Sequence, residues 1–458
     1  MIGRLTDRIE RAPGTTVAVL GIVFALAYGA SLVFFPKPNA RIVIGDAVHY
    51  YVYLRSLVFD GDLQFHNEYV RLYGLTHRGP EVAWVYDPLP SGYIRNVMPI
   101  GTAIVWAPLY LFAGAVLAVM RLAGMDVAVD GYGRVFQAAA GFSGIAAATA
   151  GAWLSYRAAA SVFSVRSAIW ATLAIWLGAS PLYYSMVSPT YSHAVSMLAN
   201  GAVIAYWLTS RERTGLKRFV VLGALIGGAT LVRWQEATLL ILPVLDAAQA
   251  RWGRALREPR LSPSFHLKIL AAALAALAVF TPQMIVWNLF YGEPFVIPQG
   301  GQFMRWHDAA LTAVLFSDWH GLFTWTPIVL LSVIGLVPLW RRDRHVAIAA
   351  IALLFSAWYT NAAVADWWAG EAFGSRRFVS CVPLFVLGLA ALFSTWQHRS
   401  IVVGVATIAI ALNCLLLFQY QLFLKGWRDV APYPRGAYGL GVARFVVPFR
   451  VVGHLLRP

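Results

Sequence analysis

The run Gly45-Asp46-Ala47-Val48-His49-Tyr50-Tyr51-Val52-Tyr53 concentrates residue types that do chemistry. Read as a helix opening at Asp46, it puts Asp46, His49, Tyr50 and Tyr53 on one face, at i, i+3, i+4 and i+7. A carboxylate beside His and Tyr at a water–membrane boundary can take a proton from a substrate hydroxyl. Asp is equally at home as the N-cap of such a helix, a structural role compatible with the chemical one.

Four other constellations carry charge or hydrogen-bonding groups. Asp366-Trp367-Trp368-Ala369-Gly370-Glu371-Ala372-Phe373-Gly374-Ser375-Arg376-Arg377-Phe378 puts two arginines beside Trp and Gly. The planar donor fork of Arg suits phosphate, although Trp and Arg also serve as interfacial anchors. Arg233-Trp234-Gln235-Glu236 places a charge pair between two apolar blocks with almost no connecting loop; charges so deep are functional or paired with each other. Ser188-Pro189-Thr190-Tyr191-Ser192-His193 offers His193 either to a substrate or to a bond within the protein. The stretch Gln299 to His320 contains Arg305, His307, Asp308, Asp318 and His320, but their spacing matches no familiar metal-ligand set. We expect a mobile loop there, and no metal or cofactor.

The elements that must position these residues are membrane helices. The chain has 458 residues, of which 59% are hydrophobic and 12% charged, about half the roughly 25% charge of soluble domains. Mean hydropathy is +0.64. There is too little polar sequence to cover a soluble fold, and the apolar residues come in long blocks able to span a bilayer as helices. The net charge of +15 does not point to nucleic acid, because most Lys and Arg sit in short loops between apolar blocks, as orientation in a membrane requires. Cys381 and Cys414 lie within apolar blocks and form no disulfide or zinc pattern.

Hydropathy predicts spans at 15–35, 132–156, 166–187, 190–209, 216–232, 235–250, 267–291, 321–340, 345–363, 376–396 and 400–424. Arg4, Arg8 and Arg11 precede the first, and Phe34-Phe35-Pro36-Lys37 follows it in place of a small-residue cleavage site, so it reads as an uncleaved span with a cytoplasmic N-terminus. Loops 157–166, 211–218, 251–268, 341–344 and 397–400 hold fifteen Lys/Arg, against four in loops 188–191, 233–236, 292–320 and 363–377. The first set is therefore cytoplasmic. Parity then forbids one block before residue 157 from crossing. The block 97–122, interrupted by Pro99, Gly101 and Pro108, is predicted to be re-entrant or juxtamembrane. The outcome is an all-α polytopic protein of about eleven spans, one domain over 1–424. A long outer loop over 36–133 carries juxtamembrane helices and eight of the chain's 21 acidic residues. In the basic tail, 425–458, Val442 to Leu456 reads as an interfacial segment bent at Pro448. Parity places the tail outside, whereas its charge prefers the inside.

In motif order the chain resembles the GT-C superfamily of membrane glycosyltransferases, which includes protein O-mannosyltransferases, aminoarabinose transferases of lipid A and oligosaccharyltransferase catalytic subunits. Gly45 to Tyr50 stands where the family's acidic motif stands. Asn96-Val97-Met98-Pro99-Ile100-Gly101 with Ala107-Pro108 resembles its second juxtamembrane helix. Ser188 to His193, Gly321-Leu322-Phe323 before Pro327, and Gly374-Ser375-Arg376 resemble pieces of bacterial members. The likeness covers most of residues 15–396. Two departures stand out: Ala47 occupies the place of a second acid, and Ser188-Pro189-Thr190 lacks the later acidic motif that helps hold a metal in oligosaccharyltransferases. The resemblance implies a polyprenyl-phosphate sugar donor and a glycan, lipid or protein acceptor at the outer face of a bacterial plasma membrane. It also implies inverting displacement, with Asp46 as base, Arg376 or Arg377 (or Arg233) facing the leaving phosphate, and His49, Tyr50, His193 and Glu236 around the substrate. A transporter or flippase for a lipid-linked saccharide is the rival class, and a non-catalytic member of the same fold is a third.

Overall fold

A computed structural model describes residues 2–34, 41–75, 80–213, 215–252, 263–370 and 372–456. The start of the predicted outer loop (36–40, with the Pro36-Lys37 signal), most of the basic loop 251–268, and Glu371 fall outside the described residues. The helices are α1 (Ile2–Arg11), α2 (Pro13–Phe34), α3 (Asp46–Arg55), α4 (His66–Tyr73), α5 (Gly101–Leu122), α6 (Arg134–Ala160), α7 (Val165–Gly178), α8 (Ser192–Thr209), α9 (Leu216–Val232), α10 (Ile241–Trp252), α11 (Pro263–Tyr291), α12 (Ala313–Phe316), α13 (Leu322–Trp325), α14 (Ile328–Ile334), α15 (Leu336–Arg342), α16 (Arg344–Ala363), α17 (Val382–Ser394), α18 (Arg399–Leu424) and α19 (Ala443–Leu455). Among the described residues the only strand-like pairing is an isolated bridge between Met304 and Val364.

Among the described residues, seven helical stretches are long and apolar enough to cross a membrane: 13–34, 101–122, 134–160, 265–291, 344–363, 376–394 and 399–424. Several other predicted spans are shorter or broken, so the figure of eleven does not carry over. The block 166–187 leaves its helix at Gly178 and resumes as a single wide π turn at Tyr183–Val187. The block 235–250 opens with a narrow 3-10 turn, Trp234–Leu240. The block 321–340 is divided among three short helices, with Pro327 and Gly335 at the joints, where a missing N–H or a missing side chain weakens the helical ladder.

Small residues set the packing. A side chain on Gly144 would meet the Pro189 carbonyl oxygen at 1.9 Å, and one on Gly151 would meet the backbone of Met197 and Leu198 at 2.7 Å. Helices α6 and α8 therefore approach closely, and the rising pairs of numbers show that they run parallel. Gly223 and Gly227 meet Ala272 and Ala276 in the same way, making α9 and α11 parallel. Each parallel pair requires the intervening segment to run back. The alternation deduced from charge is thus present in the helix packing.

The predicted basic loops gather at one end. Glu10 of α1 accepts a hydrogen bond from Trp170 (2.9 Å) and pairs with Arg399 (3.0 Å) and Arg166 (3.6 Å), and Asp7 pairs with Arg399 (2.6 Å). Nearby loops are joined by Arg211–Asp343 (2.6 Å) and Arg218–Asp246 (2.5 Å).

At the other end, the described residues of 41–75 and 80–133 form a folded cap with its own aromatic core, in which Tyr51, Tyr53, Phe65, Tyr69, Trp106 and Tyr110 are fully buried. Arg55 braces it, pairing with Glu68 (2.9 Å) and with Asp60. Pro108 does not interrupt α5, which is one continuous helix; its missing N–H falls on a helix whose neighbours hold it in place. The partners of α5 lie at the capped end. Gly101 abuts Leu231 and Val232 at the close of α9, Tyr110 donates to the Gly131 carbonyl (3.2 Å), and Gly114 faces Phe136 in the first turn of α6. Over about 20 Å of its length α5 thus touches both the end of α9 and the start of α6.

The stretch 299–320 is not a mobile loop. It is tied to the end of α16 by Arg305 N–H to Ala363 O (2.6 Å), Ala310 N–H to Ala362 O (2.9 Å) and Ala365 N–H to Phe303 O (2.8 Å). The tail returns to the same end. His320 bonds the Trp368 carbonyl through Nδ1 and the Tyr433 hydroxyl through Nε2, both at 2.7 Å. Pro448 sits within an unbroken α19.

Candidate functional site

Asp46 occupies the first turn of α3, not its cap. The cap is Gly45, whose φ of 57° and ψ of −137° suit glycine alone, and no side chain closes the helix there. A Cβ on Gly45 would also stand 2.8 Å from the Tyr191 hydroxyl. The N-cap alternative for Asp46 is thereby excluded. Its carboxylate instead meets Arg376, with Oδ2 2.9 Å from Nη1. Gly374, at φ 62° and pressed against Ser180, turns the chain that delivers Arg376. The guanidinium of Arg376 also lies over the Tyr191 ring, 5.7 Å from its centroid.

Asp46, Tyr50, His193, Arg233, Arg376 and Arg377 line one cavity of about 160 Å³, with Met98, Ser192, Gln299, Phe303 and Asp366 among the other walls. Six of the eight expected site residues therefore converge. Their states differ. Arg377 is committed to Asp366, donating from Nη2 to the carboxylate and from Nη1 to the carbonyl, both at 2.7 Å. Arg376 is shared with Asp46. Arg233 has no carboxylate within ion-pair distance among the described residues. It donates to His193 Nδ1 at 3.3 Å. Because a guanidinium only donates, that ring nitrogen is an acceptor, and His193 is a neutral imidazole orienting Arg233. The suggested Arg233–Glu236 ion pair does not form.

Two expected residues lie outside the cavity. His49 turns into the cap, where Nδ1 bonds the Tyr69 hydroxyl at 2.8 Å and the ring stacks on Trp84. Burial among these rings pulls it down to about 4, against the opposing field of Asp46. The shared face expected of Asp46, His49 and Tyr50 is thus split: Asp46 and Tyr50 face the cavity, while the wide helical face turns His49 away. Burial pushes the Tyr50 hydroxyl up to about 12, and it donates to Ser192 at 2.9 Å. Glu236 lies behind the site, in a smaller recess it shares with Arg233, Arg377, Asn200 and Ser380.

Sequence reasoning missed Gln299 and Trp234. Gln299 reaches the Val97 carbonyl through Nε2 (3.4 Å), while its buried Oε1 has no partner among the described residues. Trp234 lines both the polar cavity and a neighbouring apolar groove of about 480 Å³, walled by Ala276, Leu277, Phe280, Trp287 and Val296. Only the adjacency of Trp234 to Arg233 signalled this. Ala47, at the position where the resemblance would put a second acid, is fully buried, and the other carboxylate of the cavity, Asp366, is paired with Arg377. Among the described residues no three His, Cys, Asp or Glu side chains form a group able to hold a metal.

No family model matches the chain, and no curated protein matches it. Solved structures of an oligosaccharyltransferase from Archaeoglobus fulgidus align with the chain. The form tethered to an acceptor peptide aligns over 98% of this chain and 54% of its own, at 14% identity and a TM-score of 0.44. The form with Zn and sulfate aligns over 93% and 52%, at 16% identity and a TM-score of 0.42. AglB from the same organism, with an inhibitory peptide and a dolichol-phosphate, aligns over 98% and 54%, at 14% identity and 0.41. The chain spans about half the length of each. Fold and site together define an all-helical integral membrane protein. At one end a charged cavity, roofed by an aromatic cap, borders an apolar groove.

Proposed function

We propose that this protein is a glycosyltransferase of the GT-C type. It moves a sugar from a polyprenyl-phosphate donor to a hydroxyl acceptor at the outer face of a bacterial plasma membrane. The observation that carries the reading is the convergence of Asp46, Arg376 and Arg233 on a cavity that adjoins an apolar groove through Trp234. A lipid-linked donor has the matching parts: an isoprenoid tail for the groove, a phosphate for the cations and a sugar for the polar cavity.

The geometry supports a division of roles. Asp46 accepts the proton of the acceptor hydroxyl as its oxygen bonds to the anomeric carbon. The bond from that carbon to the phosphate oxygen breaks on the opposite side, the phosphate keeps the electron pair, and the configuration inverts. Arg376 holds the Asp46 carboxylate in place. Arg233, oriented by neutral His193 and unspent on any described acid, faces the charge growing on the leaving phosphate. Arg377 is a positioning residue, fixed to Asp366. Tyr50 shapes the wall through Ser192.

The rival reading, a flippase or transporter of lipid-linked saccharide, is separated by one reconstitution. Proteoliposomes holding the purified protein and labelled polyprenyl-phosphate monosaccharides are given acceptor on one side. Formation of a glycosidic product of inverted configuration is expected. Movement of the intact donor across the bilayer with no new glycosidic bond would establish the rival.

A further inference from the structure

A separate cavity of about 370 Å³ opens at the opposite end of the bundle, where α8, α9, α10, α11 and the start of α16 meet. Its base is a buried ionic network. Arg218, 5% exposed, donates to Asp246 (2.5 Å), to the Ser210 hydroxyl (3.0 Å) and to the Trp207 carbonyl (3.1 Å). Asp246 also receives Trp207 Nε1 (2.9 Å) and His345 Nε2 (2.8 Å). The other acid of the wall, Asp343, is taken by Arg211 (2.6 Å) and by the Val346 N–H (3.2 Å). Both carboxylates and Arg218 are therefore satisfied within the wall.

Two cations are left over. Arg213 and Lys268 line the cavity, and among the described residues neither has an acid within ion-pair distance. The ammonium of Lys268 stands 5.4 Å from the centre of the Phe219 ring, and Trp207 and Phe219, both buried, supply apolar wall. Cations gathered in a concavity with low-dielectric walls focus a positive field that an anion relieves. The cavity sits at helix ends beside the basic loops. Basic pockets between membrane helices hold anionic headgroups in this way.

We propose that this cavity binds a phosphate group, with Arg213 and Lys268 as its charged ligands and Arg211 at the rim. An anionic phospholipid and a soluble phosphate compound both present that chemistry. The proposal is independent of the chemistry assigned to Asp46.

The test uses the purified full chain in non-ionic detergent. It is titrated with dioctanoyl phosphatidylglycerol, dioctanoyl phosphatidylcholine and inorganic phosphate, with binding followed by thermophoresis. Phosphatidylglycerol is expected to bind more tightly than phosphatidylcholine. The double variant Arg213→Ala/Lys268→Ala should weaken it at least tenfold, whereas Arg341→Ala/Arg342→Ala, exposed at the same end but outside the cavity, should not. Displacement of phosphatidylglycerol by inorganic phosphate assigns the site to a soluble phosphate compound, and failure to displace it assigns the site to lipid. Equal binding by wild type and the Arg213/Lys268 variant, or no binding of either probe by wild type, overturns the proposal.

Discussion

Asp46 is 32% exposed at its side chain and Arg376, 2.9 Å away, only 14%. The carboxylate thus reaches the cavity while the cation holds it from behind. The three arginines were equivalent as residue types, and what separates them is their partners. Under the proposed mechanism, Arg233→Ala is expected to cost transfer at least a hundredfold, since it would remove the cation that has no carboxylate partner among the described residues, while leaving thermal stability within a few degrees. Arg377→Ala should instead strand Asp366 and show mainly as lost stability, with activity falling in proportion to folded protein. Transfer rates beside melting curves check both; equal activity losses at equal stability would remove the distinction. Asp46 and Arg376 were legible in the sequence because a carboxylate after a glycine and an arginine after Gly-Ser stand out in apolar surroundings. His49 was misplaced because a spacing of three residues covers a helical face wide enough to point two ways. Gln299 was invisible because an amide in a polar stretch carries no pattern.

At the scale of elements, breaks were harder to see than apolar runs. Hydropathy averages over Pro327 and Gly335, so three short helices read as one span, whereas Pro108 read as a break by residue type alone although α5 runs through it as one helix. The cap and the 299–320 stretch tied to the end of α16 depend on pairings distant in sequence, which no local pattern announces. Two buried groups there give opposite pH signatures. Glu68 is fully buried, with one carboxyl oxygen unpartnered among the described residues, and burial raises it to about 7 despite Arg55. The folded state therefore holds a proton that the unfolded state releases, and stability falls as pH rises from about 4.5 to about 7. Glu68→Gln should abolish that fall and leave a more stable protein at pH 8. His320 behaves in the reverse sense: burial lowers it to about 4, so the unfolded state takes up the proton first. Stability is then complete above about pH 6.5 and lost as pH falls toward 4, by about 3 kcal/mol if His320 acts alone. Melting temperatures of His320→Gln and wild type across pH 4–8 measure the difference; parallel curves would show that His320 does not titrate in this window.

For the molecule as a whole, charge and packing agree on an axis. The basic loops share ion pairs at one end, and Asp46, Arg233 and Arg376 meet at the other. This much was legible, because orientation in a membrane is written in Lys and Arg counts. The number of crossings was not, because length alone does not say whether a helix such as α5 enters the bilayer. The axis makes a direct topological prediction. With Cys381 and Cys414 replaced, a single cysteine at the exposed Asp126 should react with a membrane-impermeant thiol reagent in intact cells, and one at the exposed Arg342 only after permeabilisation. The reverse pattern would put the cavity in the cytoplasm and remove the outer-face reading.

The central claim is that the Asp46 carboxylate takes the acceptor's proton, and the most direct measurement is transfer by Asp46→Asn. Reconstituted at equal protein and matched melting temperature with polyprenyl-phosphate monosaccharides, that variant should bind the donor yet form product at least about a hundredfold more slowly than wild type, the usual scale of lost general-base catalysis. A variant that transfers sugar within twofold of wild type would contradict the account and leave Asp46 as no more than the partner of Arg376.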